Sequence, residues 1–421
     1  MHIDKVVHKI SLLHSTSNET PTDYSLVKEI VDRLDVNWAD PNLKILDPAC
    51  GRGTFLLAMV DKLESYHTRK HIINNMIYGY DISKVQTMIA RKALSMVEQT
   101  ESNIVQQCSL ESPFDFKFDV IVTNPPFLEV KDDGGRKSMS TNLWTKFIDR
   151  CANELLVEGG SLAMISPASW AGPTKNLSGG RRILQDIFAA KNTVYINISE
   201  KLNNYFSTGS TFSYVILKNE PYADQTTIEL DDDSSIQVNL KEFSSLPRIK
   251  DALAYTINKK YFDKVSGEVI RGQLQTPSII QYNESENKEF KHPAYHTASC
   301  FKSDKKYWFT DKAHPNKKDH KVIISLSGEY APYPDKGTIG YTDMCLAYIV
   351  KPGETLDSAY SVINSKFFHF IVKNNKWSGF NNKELIRNFA LPPLNVTYTD
   401  DQIFDFFGLT KEEREFVISQ V

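Results

Sequence analysis

Leu43-Lys44-Ile45-Leu46 runs directly into Asp47-Pro48-Ala49-Cys50-Gly51-Arg52-Gly53-Thr54-Phe55, and this junction decides the fold. The first four residues read as a buried strand, the glycines as a turn, and Phe55 to Tyr66 as a helix with apolar residues at helical spacing. A glycine loop between a strand and a helix start lets backbone approach a ligand where any side chain would collide. Helix-start amides together with the acidic Asp47 suit a zwitterionic amino-acid group better than a bare pyrophosphate. By itself a glycine-x-glycine pair is also an ordinary tight turn, so the surrounding sequence has to arbitrate.

Outward from the loop, strands and helices alternate. Tyr24 to Leu34 carries Leu26, Val27, Ile30, Val31 and Leu34 at helical spacing behind Thr20 and Pro21. On the other side, Met76 to Tyr80 reads as a strand ending at Asp81, and Val85 to Val97 as a helix. Asp119 to Val122 is a further strand, stopped by Pro125 and Pro126. Leu143 to Leu156 reads as a helix, Gly159-Gly160 as a turn and Ser161 to Ile165 as another strand. This alternation predicts a doubly wound, Rossmann-like α/β sheet whose ligands gather at the carboxyl ends of the strands. Asp81 at such an end can accept hydrogen bonds from ribose hydroxyls, and Ile82 beside it can pack on a purine face.

Past Lys218 the alternation stops, Asp231-Asp232-Asp233 with Ser234-Ser235 reads as a surface turn, and Phe243 to Leu253 leads into different material. The expected division is a first domain at 1–245 and a second at 246–421, the latter rich in Lys, Tyr, Phe and Asn without a clear period. Composition excludes several classes. With 41% hydrophobic and 24% charged residues the chain is ordinary globular material, and it holds no apolar run of the roughly 18 residues that span a bilayer. Met1 to Lys9 lacks the apolar centre of a secretory signal, so a cytoplasmic protein without membrane contact is expected. Five separated cysteines with no Cys-x-x-Cys pair predict reduced thiols and no metal site. A net charge of -3 does not by itself mark a nucleic-acid binder, but the charge is unevenly spread.

The second motif is Asn124-Pro125-Pro126-Phe127, directly after the strand Val120-Ile121-Val122. Two prolines fix an extended backbone that can continue neither helix nor sheet. Together with Asp47-Pro48-Ala49-Cys50-Gly51-x-Gly53-x-Phe55-Leu56, the chain over roughly residues 18 to 220 resembles the gamma-class N6-adenine DNA methyltransferases. The resemblance implies an S-adenosylmethionine-dependent enzyme acting on double-stranded DNA. Thr20, Asp47, Pro48, Ala49, Cys50, Gly51, Gly53, Asp81, Ile82 and Asn124 would bind the cofactor, and Asn124, Pro125, Pro126 and Phe127 would carry catalysis. Glu158 to Trp170 is similar to the strand that follows the family's catalytic loop, and Phe206 to Ser213 to the late segment with a second aromatic against the target base. That role is carried to Phe212, with Phe206 competing for it. One departure is Gln107-Cys108-Ser109-Leu110, where the family usually offers an acidic residue to the cofactor adenine, a contact here left weaker or to Ser109.

The chemistry of the tetrapeptide follows from the nucleophile. The adenine amino lone pair is delocalised into the ring, so catalysis must localise it. Two acceptors set at tetrahedral angles to the N–H bonds, the Asn124 side-chain carbonyl and the Pro125 backbone carbonyl, would do so without a strong general base. Phe127 would stack on a base flipped from the duplex.

In the resembling family a target-recognition domain follows, which places 246–421. Between Lys288 and Lys321 lie nine lysines against Glu289, Asp304, Asp311 and Asp319, interleaved with Phe290, Tyr295, Phe301, Tyr307, Trp308 and Phe309. Such a stretch suits phosphates and bases, and equally a solvated lysine face over an aromatic core. Asn364-Ser365-Lys366-Phe367-Phe368 is similar to a segment near the end of target domains in combined restriction-modification enzymes. With 46 residues ahead of Asp47, methylation without an N-terminal nuclease is expected. The same tetrapeptide chemistry also fits methylation of a protein glutamine or of ribosomal RNA, and a silent DNA-binding subunit remains a further alternative.

Overall fold

The computed structural model describes residues 1–13, 22–127, 142–173, 182–206, 211–230, 234–265, 280–301 and 307–421. Two compact units divide the chain: Met1–Ala168 with Asn176–Lys241, and Ser169–Lys175 with Glu242–Val421. The change from the first unit to the second thus falls between Lys241 and Glu242, with one short excursion at Ser169–Lys175.

The first unit is built on β1 (Ile45–Asp47), β2 (Ile77–Asp81), β3 (Asn103–Gln106), β4 (Phe118–Thr123), β5 (Leu156–Pro167), β6 (Lys191–Asn197), β7 (Phe212–Pro221), β8 (Thr226–Glu229) and β9 (Ser235–Val238). They form one sheet in the order β3-β2-β1-β4-β5-β7-β6-β8-β9. Strands β1 to β5 are mutually parallel, and β7 runs antiparallel between β5 and β6. Ile45, Leu46, Val120, Ile121 and Val122 are all fully buried, as strands covered on both faces require. Helices α1 (Ile3–Ser11), α2 (Tyr24–Asp32), α3 (Thr54–Leu63), the single turn α4 (Arg69–His71), α5 (Lys84–Val97) and α6 (Leu143–Arg150) accompany the sheet. Leu26, Val27, Ile30 and Val31 of α2 join Leu56, Leu57 and Val60 of α3 in one core cluster. The strand order reverses at β1, which has β2 on one side and β4 on the other, so a crevice opens beyond the carboxyl ends of β1 and β4.

Several elements differ from the sequence expectation. The helix expected to reach Leu156 ends at Arg150, and a wider turn over Cys151–Leu155 leads straight into β5. Gly159-Gly160 lies inside that strand rather than between elements. Opposite it the register with β4 shifts between Phe118 and Val120, and a Cβ on Gly160 would stand 3.0 Å from the Asp119 carbonyl. The glycines absorb a bulge that brings two backbones close. The sheet also continues beyond Lys218 into β8 and β9.

In the second unit, β10 (Tyr282–Asn283), β11 (His292–Tyr295), β12 (Trp308–Thr310) and β15 (Gly340–Tyr341) make a four-stranded sheet. Strands β13 (His320–Ser325), β14 (Tyr333–Lys336) and β16 (Cys345–Ile349) make a three-stranded one. Helices α7 (Ala252–Phe262), α8 (Leu356–Ile363), α9 (Lys366–Asn374), α10 (Lys383–Arg387), α11 (Asp400–Phe407) and α12 (Lys411–Gln420) complete it. Its main core gathers Tyr261, Phe367, Phe368, Phe404 and Phe407. The Asn364 to Phe368 segment is the α8–α9 junction, where the Ser365 side chain caps α9 by accepting from the Phe368 amide. Within this unit the Ser245 hydroxyl donates to the Ala171 carbonyl at 2.9 Å and the Asn382 amide to the Pro173 carbonyl at 3.0 Å, which ties the excursion in place.

Candidate active site

The crevice at β1 and β4 collects the two sequence motifs of the first unit. Asp47 ends β1 with its side chain buried, and its carboxylate accepts from the Ala49 amide at 3.1 Å. Burial opposes ionisation, the Ala49 hydrogen bond offsets part of it, and the net effect pushes the carboxyl pKa up to about 7. The loop beyond it is tied down at both ends: the Cys50 amide donates to the Tyr80 carbonyl at 2.8 Å, and the Gly53 amide to the Cys50 carbonyl at 2.7 Å. Gly51 and Gly53 hold left-handed backbone, φ 49° and 85°. A Cβ on Gly53 would press on Ala90 at 3.3 Å, whereas one on Gly51 would meet nothing within 4 Å, so the outer edge of the loop is open. Cys50 turns its thiol into the core, where burial pushes its pKa well up, so this residue serves through its backbone. The Pro48 carbonyl accepts from the buried Ser109 hydroxyl at 2.5 Å. Ser109, the residue considered for the cofactor adenine, is thereby engaged in bracing the loop.

Asp81 ends β2 and links two loops. One carboxylate oxygen accepts from the Gly51 amide at 3.0 Å and the other from the Ser83 amide at 2.7 Å. Ser83 in turn caps α5. Next to it Ile82 is 70% exposed, an apolar side chain held out beside an acidic strand end.

Asn124 follows β4, the strand beside β1. Its side-chain Nδ2 donates to the Thr22 Oγ1 at 2.9 Å, while its Oδ1 is buried with no hydrogen-bond partner among the described residues. An orphaned buried acceptor is costly and calls for a missing donor. Pro125 is buried and Pro126 exposed, and half-buried Phe127 packs toward Phe212 with ring centroids 5.6 Å apart. Phe212 itself is only 2% exposed and stacks on Phe206 at 3.9 Å. The ring of Phe212, expected to face a target base, packs here on Phe206 and Phe127, and Phe127 is the aromatic nearer the surface.

Thr20 lies outside the described residues. Two residues escaped the sequence reading. Thr22 meets Asn124 across 102 positions. Arg52, the variable residue between the glycines, is buried and donates to the Ile10 and Leu13 carbonyls at 3.0 and 2.8 Å, fastening the end of α1 to the loop. Neither contact leaves a local pattern in the sequence. Among the described residues no cluster of His, Cys, Asp or Glu suited to a metal is present, and no helix is long and apolar enough to cross a membrane.

Residues 17–147, which span the glycine loop and the tetrapeptide, match the profile of the N-6 DNA Methylase family. Over this segment the chain is similar to the N-6 DNA methylases. Over 135 residues the chain is 30% identical to the type II restriction enzyme and methyltransferase RM.BcgI of Heyndrickxia coagulans, covering 30% of this chain and 20% of that protein. Over 151 residues it is 29% identical to the type I restriction enzyme EcoEI methylase subunit of Escherichia coli, covering 32% and 31%. The chain thus spans about a fifth to a third of the length of these curated relatives. Among solved structures, a nuclease-deletion mutant of the Type ISP restriction-modification enzyme LlaGI, in complex with a DNA substrate mimic, superposes with a TM-score of 0.58. Identity is 11%, covering 96% of this chain and 56% of that one, a likeness of fold. The first unit is a Rossmann-like α/β sheet, followed by a C-terminal unit. The residues present fit S-adenosylmethionine, the cofactor that similarity to the N-6 DNA methylases implies. The open edge at Gly51 and the exposed Ile82 leave room for it, and the unpaired Asn124 Oδ1 supplies an acceptor beside it.

Proposed function

We propose that this chain is a DNA adenine-N6 methyltransferase of the gamma class, acting on a base flipped out of double-stranded DNA. The observation that carries the reading is the Asn124 amide, whose nitrogen is held by Thr22 and whose oxygen is buried without a donor among the described residues. An exocyclic amine is a donor of the kind this oxygen lacks. Bound S-adenosylmethionine supplies an electrophilic methyl group. The Gly51–Gly53 backbone, Asp47, Asp81 and Ile82 orient that cofactor. Asn124 Oδ1 and the Pro125 carbonyl would accept from the amine and hold its lone pair clear of the ring; the thioether would leave as the methyl–sulfur bond breaks, and the extra proton on nitrogen would pass to solvent afterwards, so no base is needed beforehand.

Phe127 offers the stacking surface, with Phe212 and Phe206 as its backing. Flipping costs a few kcal/mol, and stacking on an aromatic recovers about 1–3 kcal/mol. The second unit is proposed as the target-recognition domain. Lys288, Lys291, Lys312 and Lys318 are exposed there and suit phosphate contacts.

The test is a tritiated methyl-transfer assay on unmethylated DNA, RNA and protein in parallel, with nucleoside analysis of the labelled product. Label recovered as N6-methyladenine in DNA is the expected result. Label confined to RNA or protein would keep the Asn124 chemistry and overturn the substrate.

A further inference from the structure

Asn124 faces a problem of orientation that the tetrapeptide does not solve. The two ends of a carboxamide have nearly the same size, so only hydrogen bonding decides which end points where. Turned over, the amide would present its own N–H groups to an amine that needs an acceptor. We infer that Thr22 is a positioning residue: by accepting from Asn124 Nδ2 at 2.9 Å, its hydroxyl oxygen fixes Oδ1 toward the target amine. The inference rests on the proposed reaction for its consequence, but its geometry stands apart from it.

Three observations support the assignment. Oδ1 is buried and without a hydrogen-bond partner among the described residues, so the anchor they provide lies at the nitrogen. Thr22 is not a free loop residue. The next residue, Asp23, caps α2 by accepting from the Ser25 amide at 2.8 Å, and α2 is pinned by the fully buried Leu26, Val27 and Ile30. The position of the hydroxyl is therefore inherited from a core helix. Finally, the contact joins segments 102 residues apart, so α2 and the catalytic strand end set each other's geometry. Because a hydroxyl can also donate, Thr22 selects this orientation by keeping its own proton turned away from Asn124, and no charged group is needed.

The experiment compares wild type with Thr22→Val, which keeps the shape and removes the acceptor, and Thr22→Ser, which keeps the hydroxyl. The first readout needs no activity. With asparagine labelled by nitrogen-15, the side-chain amide signals of Asn124, identified by their loss in Asn124→Asp, are followed for exchange with water. Exchange should be at least tenfold faster in Thr22→Val and near wild type in Thr22→Ser. The second readout is single-turnover methyl transfer, expected to fall about tenfold in Thr22→Val, ~1.4 kcal/mol of barrier. Cofactor Kd should stay within twofold and Thr22→Ser should recover the rate. Unchanged exchange in Thr22→Val overturns the inference, as does an unchanged rate, or a rate loss matched by an equal loss of cofactor binding. Wild-type protein that transfers to no substrate would instead sink the proposed reaction, and the exchange readout would still decide the orientation.

Discussion

Two acids and an amide at neighbouring strand ends divide the work of the crevice, and each can be tested by a single substitution. Asn124→Ala removes the proposed acceptor together with the group that Thr22 holds. Methyl transfer should fall at least roughly 100-fold, in the range seen when a positioned hydrogen-bonding group is lost from a transition state. Calorimetry should find cofactor affinity nearly unchanged, and a parallel loss of binding would show that the residue is structural. Asp47 makes a different prediction. Its carboxyl, pushed up to about 7 by burial from an ordinary 3.8, keeps its proton in the folded protein where the unfolded chain has released it. Between those values the folded state binds more protons, so this group makes stability fall as pH rises from about 4 toward 7, by up to ~1.4 kcal/mol per pH unit. Thermal denaturation across that window should show a shallower decline in Asp47→Asn than in wild type. A cationic ligand favours the ionised form, so S-adenosylmethionine binding near pH 6 should also release protons. Calorimetry in buffers of different ionisation enthalpy measures that release.

At the scale of elements, the β1 and β2 loops are one construction because Asp81 holds an amide from each. Asp81→Ala should weaken cofactor binding by roughly 1.5–3 kcal/mol, the usual worth of hydrogen bonds to a charged group. Hydrogen exchange should rise at Gly51 and Ser83 together, and a change at one loop only would separate them. The sequence made much of this legible. Strands β1 and β2 are short runs ending in Asp47 and Asp81, and β4 is an apolar run followed at once by Asn124, so strand ends, loops and chemistry could be read from one pattern. Less was legible elsewhere, for physical reasons. Strand β3 is four residues with polar ends at the sheet edge, too short to show a period. Helix α1 buries only Ile3, Val6 and Ile10, and the charges between them read as an exposed segment. Antiparallel β7 pairs with both β5 and β6, so the sheet's far half lacks the strand–helix rhythm that revealed the near half. Phe206 and Phe212 competed for one role because a single sequence does not say how two phenylalanines six residues apart pack, and the structure stacks them on each other.

At the scale of the whole molecule, the lysine-rich stretch of the second unit shows how charge counted along a chain differs from charge presented to a partner. Lys321 and Asp335 are 0% and 1% exposed and form an ion pair at 2.5 Å. Burial alone would raise the Asp335 carboxyl, but the hydrogen bonds from Lys321 and Thr338 bring it below its ordinary range. This lysine therefore belongs to the architecture of β13 and β14, whereas Lys291, Lys312 and Lys318 are exposed. The two kinds should separate by experiment. Lys321→Met leaves a buried carboxylate without its partner and should cost about 3–5 kcal/mol of stability, read as a drop in the denaturation midpoint. The triple substitution of Lys291, Lys312 and Lys318 by Gln should leave that midpoint nearly unchanged. It should reduce the slope of log affinity for DNA against log salt by about 0.9 for each phosphate contact removed. A salt slope equal to wild type in the triple variant would mean that DNA runs over another face of the chain, and the proposed recognition surface would have to be withdrawn while the Asn124 crevice stands.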